Sequence, residues 1–407
     1  MSDLSRMLLV QAAKHTSSTA FAASEIGTLF FLECEAIDAL PRDTVRIERN
    51  LYRGDNKEYA SIRGPKSLDP ISMTIPVRGV SGNTGTAAFA SATTTELGQL
   101  FESVFGAAAT DPSGSGESAT GGTGSSSQVT LASGANYANN GGILFANTDG
   151  TVFARQIVSG GGTGTLTLDR DFTGTAATST VVRGARYTVT SSTSMHTPMF
   201  FRVEGENHRR DYVACYSSLD LDFTEGQAVK ASFSWMPTDW SDNAEANPSF
   251  SAPTAGSYIV NIGGLFYIGD SAFLLKDAKL SLGCEYVPRT TITGANGIHG
   301  HICVRKRPVL TGRMYLGTNA SFGEIADSSG TPSLNSMQAL DVAAGVAPTT
   351  RDISLQVGSL GSQAMYVRIP AAEFSARVVD DGGVEMIEFS ARATRPSSGN
   401  LLDLFLF

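Results

Sequence analysis

Two groups of side chains have the types and the spacing that chemistry uses. His299, His301 and Cys303 stand two residues apart, so on a β-strand all three project from one face, and imidazole and thiolate are ligands that zinc accepts. Asp220 and Asp222 have the same spacing, and paired carboxylates can serve as acid and base in a glycosidase. Each group also has a plainer interpretation, as strand residues in solvent or at a subunit contact. We predict a protein that is not an enzyme and holds no metal or cofactor.

Charge, motifs and cysteines narrow the function classes further. The net charge of −9 argues against a protein that binds nucleic acid tightly, because such binding needs basic clusters to neutralise the phosphates. The chain has no P-loop, dinucleotide-binding fingerprint, nucleophile elbow or HExxH motif. Its four cysteines lie far apart, which predicts reduced thiols, with a Cys284–Cys303 cross-strand disulfide as the alternative. Since no apolar run approaches about 20 residues, we predict no transmembrane helix.

His301 and Cys303 belong to a predicted long β-hairpin over residues 272–317. Apolar and polar side chains alternate along it, on either side of a glycine-rich turn. A fainter copy occupies residues 48–79, and the distance from its first glutamate to its last glycine is nearly the same. The elements that position the candidate residues are therefore strands of a β-rich fold.

Each hairpin is followed by a helical pattern and then by a second hairpin. Helices are predicted over residues 94–106 and, more weakly, 333–345, because both begin with a hydroxyl residue and stop at glycine. The later hairpins, 219–233 and 374–389, place a phenylalanine at the same distance from the turn glycine. We interpret this as an internal duplication, with chance similarity between two β-rich halves as the alternative. The apolar face of the first helix consists of Leu97, Leu100, Phe101, Val104 and Phe105.

The first half contains a segment that the second half lacks. Residues 111–127 have the Gly, Ser and Thr composition of a flexible linker, and short strands with glycine turns continue to about residue 190. The final segment, 401–407, is too apolar to be left in water, so we expect the chain or a neighbour to cover it. The predicted domains are an N-terminal arm (1–28), a first unit (29–110 with 195–250), an inserted small β domain (111–194) and a second unit (258–407).

The order of elements resembles the tail tube proteins of long-tailed bacteriophages. The likeness rests on four short segments, and it covers most of the chain outside the insertion. In that family a β-sandwich with a flanking helix contributes strands to a ring whose inner wall is a continuous β-barrel, and stacked rings form the conduit for DNA. The segments are the strand 48–53, the hairpin end 71–79, the helix 96–106 and the later residues 307–312.

The resemblance implies a mainly β fold of duplicated β-sandwich or barrel units, each with a flanking α-helix, plus the inserted small all-β domain on the outer surface. Typical subunits carry one unit and form hexamers, so two units per chain imply a trimeric ring with pseudo-sixfold symmetry, with a hexamer as the alternative. Asp220 and Asp222 become candidates to face the lumen, where acidic side chains would repel DNA.

The implied location is the virion tail, after assembly in the host cytoplasm. The implied partners are further copies of the chain, the tail terminator, tape measure and baseplate proteins, and DNA that passes without specific binding; no membrane is involved. Two other classes remain open at this point. One is a different β-rich virion component, such as a baseplate or receptor-binding protein, and the other is a carbohydrate-active enzyme.

Overall fold

The described part of the chain is mainly β, with large antiparallel sheets and one α-helix. The computed structural model describes residues 9–15, 29–38, 44–47, 62–66, 69–79, 96–106, 109–110, 116–178, 180–189, 196–204, 209–243, 258–262, 264–269, 271–290, 298–315, 350–358, 363–395 and 400–407. Among these residues, no helix combines the length and the apolar character needed to cross a membrane.

The first half supplies sixteen of the strands and the helix. Before and including the helix the elements are β1 (Leu9–Lys14), β2 (Phe30–Leu32), β3 (Ala36–Asp38), β4 (Thr44–Ile47), β5 (Ile62–Lys66), β6 (Ile71–Pro76) and α1 (Glu96–Phe105). The next six strands are β7 (Glu117–Gly121), β8 (Gln128–Leu131), β9 (Gly142–Ala146), β10 (Val152–Ser159), β11 (Thr165–Leu168) and β12 (Thr180–Val189). Then come β13 (Met199–Glu204), β14 (Arg209–Thr224), β15 (Lys230–Met236) and β16 (Asp239–Asn243).

The second half supplies ten more strands. They are β17 (Leu265–Ile268), β18 (Ser271–Phe273), β19 (Leu275–Ser281), β20 (Glu285–Thr290), β21 (Ile298–Arg305), β22 (Val309–Tyr315), β23 (Thr350–Val357), β24 (Met365–Asp381), β25 (Val384–Ala393) and β26 (Leu402–Leu406). The predicted second helix, 333–345, lies outside the described residues.

Eight strands form one continuous antiparallel sheet, which we call the central sheet. Their order is β3-β6-β15-β14-β19-β22-β25-β24, so four strands of the first half lie beside four of the second. Apolar and polar residues alternate along these strands, which puts one complete face into the core. That buried face includes Met73, Leu219, Leu221, Phe223, Phe233, Trp235, Leu280, Leu310, Ile387 and Phe389.

A second layer of strands covers the buried face of the central sheet. Strands β14 and β24 are long enough to belong to both layers and so connect them. The first part of β14 pairs with β13 and β16, and the first part of β24 pairs with β23 and β26. A register shift accompanies the change of layer in each case, between Met199 and Phe201 opposite β14 and between Arg351 and Ile353 opposite β24. Such irregularities bend a strand and let it leave one sheet for another.

The same order of pairings occurs twice. Strands β1 to β6 and β13 to β16 pair with one another as β17 to β26 do, strand for strand, including the separate hairpins β4–β5 and β20–β21. The six strands β7 to β12 stand outside this correspondence. The recurrence extends to the bulges, so it reaches beyond a shared preference for β-structure.

Helix α1 forms where the apolar spacing predicts it. Leu100, Phe101, Val104 and Phe105 are fully buried and Leu97 is partly buried against the same core. The ring of Phe101 lies 5.4 Å from that of Tyr187, edge to face. The helix ends at Phe105 and is followed by Gly106, whose φ of +80° favours glycine. All five predicted apolar residues therefore pack on the sandwich.

The inserted segment has its own core but is not a separate body. Val129, Phe145, Phe153 and other residues of β7 to β11 form a cluster of their own. Strand β12, however, continues beyond that cluster and pairs from Ala185 to Val189 with β26. The expected domain boundary near residue 194 is corrected by this pairing, because β12 completes a sheet of the second half and packs under α1.

Two further sequence-based expectations are corrected. Leu9–Lys14, within the predicted N-terminal arm, forms β1 and pairs with β13 and β2, with Ala12 and Ala13 fully buried. Glu117–Gly121, within the predicted linker, forms β7 and pairs with β8 and β12. Both segments carry few large apolar side chains, so backbone pairing with other strands is needed to order them, together with the burial of small side chains such as Ala12 and Ala119. The final segment is buried throughout, as expected, by strands of the same chain.

Candidate functional site

The polar side of the central sheet is a continuous, curved surface, which we call the concave face. The face encloses a concavity of about 720 Å³ that runs across β14, β19, β22, β25 and β24. Small hydroxyl side chains recur on this face, and the hydroxyl oxygens of Thr74 and Ser232 are hydrogen-bonded at 3.2 Å. The hydroxyl residues on this face, from the strand registers, are Ser72, Thr74, Ser218, Thr224, Ser232, Ser234, Ser281, Thr311, Ser375 and Ser390.

Asp220 and Asp222 both lie on the concave face, as the alternation predicts. The Asp220 carboxylate forms an ion pair with Lys279 on the neighbouring strand, with 2.9 Å between Oδ2 and Nζ. Asp222 faces Lys279 on one side and Lys230 on the other, and it accepts a hydrogen bond of 2.9 Å from the Thr224 hydroxyl. The two carboxylates therefore belong to a structural network of the sheet surface.

The concave face carries mostly paired charges, and its acidic groups still outnumber its lysines and arginines. Almost every acidic group there stands next to a lysine or arginine from another strand, and the second half contributes most of these cations. Opposite charges across strands stabilise a sheet modestly and cancel the surface field. The pairs are Asp220–Lys279, Glu35–Lys230, Asp277–Arg313, Asp381–Arg313, Glu388–Arg377 and Glu373–Arg392.

The central sheet has two open edges. Strand β3 pairs with β6 on one side only, and residues 374–381 of β24 pair with β25 on one side only. Within the described residues, no strand occupies the outer side of either edge. Unpaired strand edges present rows of N–H and C=O groups that bind another strand. The edges thus lie at opposite ends of one curved sheet.

The His/Cys group does not form a metal site in the described part of the chain. Groups of three or more histidine, cysteine or acidic side chains in metal-binding geometry are absent there, and the side chain of His299 lies outside it. The ring of His301 lies 5.6 Å from that of Tyr216, and burial lowers the pKa of His301. A neutral imidazole against an aromatic ring is a packing residue within the chain, a role that neither the zinc interpretation nor the solvent or subunit-contact interpretation gave to His301.

Cys303 has an unusual environment for a thiol. A hydrogen bond from the Cys284 thiol, with His196 and Lys306 nearby, lowers the pKa of Cys303 to about 5 against the opposing effect of burial. In its protonated form the same thiol donates to the Arg305 carbonyl oxygen at 3.4 Å. All four cysteines are free, as predicted. Cys284, just before β20, and Cys303, on β21, are hydrogen-bonded neighbours that form no disulfide.

Sequence reasoning missed the polar network that joins the inserted β domain to the second half. Gln356 accepts a hydrogen bond from the Ala154 backbone at 2.7 Å and donates to the Val152 carbonyl oxygen at 2.9 Å. Arg170 pairs with Asp352 at 3.0 Å. One signal was available: Asp403 is a charged residue inside an apolar run, and such a residue needs a buried partner.

Neither a scan of protein-family models nor a search of curated proteins finds a match to this chain. Three features of the described residues bear on the function. These are the recurrence of the strand order, the paired charges of the concave face and the two open edges of the central sheet.

Proposed function

We propose that the chain is a structural subunit of a phage tail tube, a conduit built from stacked rings through which DNA passes. The central sheets of neighbouring copies join edge to edge, and their concave faces together line the lumen. The chain acts by assembly, so it needs no catalytic residues, metal or cofactor. Tail terminator, tape measure and baseplate proteins are the proposed neighbours in the virion.

One observation carries this proposal. The two halves each place four strands in the central sheet in the same order, and β14 of the first half pairs directly with β19 of the second. The chain thus contains an example of how one unit joins the next. If neighbouring copies join as β14 and β19 do within one chain, their curved sheets close into a barrel. Closure leaves no open strand edge.

The concave face suits a lumen through which a polyanion slides. Its arginines and lysines already pair with carboxylates, and hydroxyl groups fill the positions between them. DNA-binding surfaces instead present unpaired cations to the phosphates. Asp220 and Asp222 keep their proposed position at the lumen, as parts of a surface that neither attracts nor strongly repels DNA.

The remaining elements suit the outside of the tube. Strand β26 belongs to the layer that covers the apolar face of the central sheet, and it pairs with β12, the last strand of the inserted segment. That layer lies on the opposite side from the concave face, so the inserted domain projects away from the lumen. The lumen stays open while solvent accommodates the extra domain.

The recurrence of the strand order supports a ring of three chains. If the halves are duplicates, three chains supply six four-stranded sheets, and the ring has threefold symmetry with six similar lobes. A hexamer of complete chains would double the number of units and widen the bore.

Electron microscopy of the purified protein tests the proposal. We expect rings or tubes whose end-on class averages show threefold symmetry with six lobes. Rings of six complete chains would contradict the trimer but not the tube. A protein that stays monomeric and instead binds host surface polysaccharide, or turns over a glycan in a panel, would contradict the tube and favour the other two classes.

A further inference from the structure

We infer that the ring closes in one register, in which Asp38 on β3 of one copy lies opposite Val379 on β24 of the next copy and pairs with its Arg377. This inference rests on the proposed function. It names the partner, a second copy of this chain, and the residues that meet.

The β14–β19 junction is the template. Five consecutive residue pairs cross it, and among them Asp222 lies opposite Lys279 and Phe223 opposite Ala278. On the concave face, Lys279 reaches diagonally to Asp220 at 2.9 Å. On the other face, Leu221 and Phe223 are buried. The junction is thus closed by backbone pairing, one ion pair and apolar contact.

Residues of β24 are matched to those of β14 through the neighbouring strand. Phe233 lies opposite Leu219, and Phe389 lies opposite Ala376. Both phenylalanines follow the turn glycine of their hairpin by seven residues. Ala376 therefore corresponds to Leu219, so Arg377, Val378 and Val379 correspond to Asp220, Leu221 and Asp222.

The bulges provide an independent check of this match. Beside the register shift in the first half, Met199 lies opposite Cys215, four residues before Leu219. Beside the shift in the second half, Arg351 lies opposite Ala372, four residues before Ala376. Both routes thus assign the same correspondence.

Residues of β3 are matched to those of β19 in the same way. Phe233 lies opposite Met73, which lies opposite Ile37. In the second half, Phe389 lies opposite Gly312, which lies opposite Ala278. Ile37 therefore corresponds to Ala278, and Asp38 corresponds to Lys279.

Transfer of the template to the open edges places Val379 opposite Asp38. The ion pair Asp220–Lys279 becomes Arg377–Asp38, with the two charges exchanged and their attraction kept. Arg377 is 74% exposed, with its guanidinium beside Glu388, and Asp38 is exposed. Val378, 42% exposed, takes the position of the buried Leu221.

The exchange of charges also opposes a wrong junction. If the β24 edge paired with a strand of the β19 type, Arg377 would meet Lys279, and like charges across strands are unfavourable. Only β3 offers a carboxylate at this position. The exchanged pair therefore favours alternation of first and second halves around the ring.

Disulfide trapping tests the register. The variant Asp38→Cys with Val379→Cys, assembled and oxidised with copper phenanthroline, should give covalent dimers and trimers on denaturing gels, beyond those of the wild-type chain with its four cysteines. The control Asp38→Cys with Asp380→Cys differs by one residue and should not cross-link, because neighbouring residues point to opposite faces. A mixture of the two single variants, Asp38→Cys and Val379→Cys, should stop at dimers.

Charge reversal provides a second measurement that needs no cysteine. Asp38→Arg and Arg377→Asp should each raise the concentration needed for assembly by about two- to five-fold, the effect of an exposed ion pair, and the double variant should restore it. If rings form but cross-link only in the Asp38→Cys with Asp380→Cys control, or in neither variant, the proposed register is wrong while the proposed tube is not contradicted. Absence of rings from the wild-type chain overturns the proposed function itself.

Discussion

Arg186 donates two parallel hydrogen bonds to Asp403, from Nε to Oδ1 and from Nη2 to Oδ2, both at 3.1 Å. The carboxylate is only 3% exposed, and it also accepts bonds from Thr188 at 3.0 Å and from Gln156 at 3.2 Å. These donors, together with the Asn400 amide at 3.2 Å, meet a buried charge whose desolvation they offset. The pair joins β12 to β26, so the inserted β domain is fastened to the end of the chain.

Replacing Asp403 should destabilise the protein strongly. Asp403→Asn leaves the guanidinium of Arg186 buried without a countercharge, so we expect a loss of about 3–5 kcal/mol in the free energy of unfolding. The matched control is Glu373→Gln, which breaks an exposed pair with Arg392 and should cost at most about 1 kcal/mol. Urea denaturation of both variants measures the difference, and equal losses would contradict a structural role for Asp403.

Removal of the inserted segment should depend on whether β12 is kept. A glycine linker in place of residues 111–194 removes the strand that pairs with β26, together with Tyr187, whose ring covers Phe101 in the main core, so we expect poor solubility. A linker in place of residues 111–179 keeps β12 and should be more stable and still assemble into narrower tubes. Thermal unfolding and electron microscopy compare the two, and equal behaviour would show that β12 is dispensable.

Cys303 should react as a thiolate at mildly acidic pH. Because its pKa is lowered to about 5, alkylation by iodoacetamide should stay fast at pH 6 to 7 and slow as the pH falls through about 5. Cys284→Ala removes the main cause of the shift and should move this midpoint upward. Cys215, fully buried with a raised pKa, serves as the unreactive control in peptide mapping by mass spectrometry. A midpoint unchanged by Cys284→Ala would contradict the assigned cause.

Replacing both concave-face aspartates should slow DNA passage. In Asp220→Lys with Asp222→Lys, the two new lysines and Lys279 lack countercharges, while Lys230 keeps its pair with Glu35. Unpaired cations at the lumen would hold phosphates. We expect tubes to form, with some loss of stability from the broken Asp220 pair, and ejection to become slower and salt-dependent. Asp220→Asn with Asp222→Asn is the neutral control. Unchanged ejection in the lysine variant would remove these residues from the lumen.

The sequence by itself determined the local elements and their recurrence. Strand and helix periods depend on neighbours a few residues apart, so α1, the hairpins 219–233 and 374–389 and the parity of Asp220 and Asp222 were all predictable. The recurrence of glycine-to-phenylalanine spacing pointed to two similar halves, whose pairing orders agree strand for strand. Even the burial of the last strand followed from its composition, although its partners did not.

Only the tertiary structure decided which distant strands meet. Arg186 and Asp403 are 217 residues apart, and no local pattern pairs them. Lys279 neutralises Asp220 because β19 lies beside β14, which turns a strand with an acidic face into part of a surface of mostly paired charges. β1 and β7 are ordered by backbone hydrogen bonds to strands far along the chain. Alternation of apolar and polar residues sets which face of a strand is buried. The partners of a strand depend instead on the arrangement of the whole sheet, and this arrangement determines which charges are paired and which strand edges stay open.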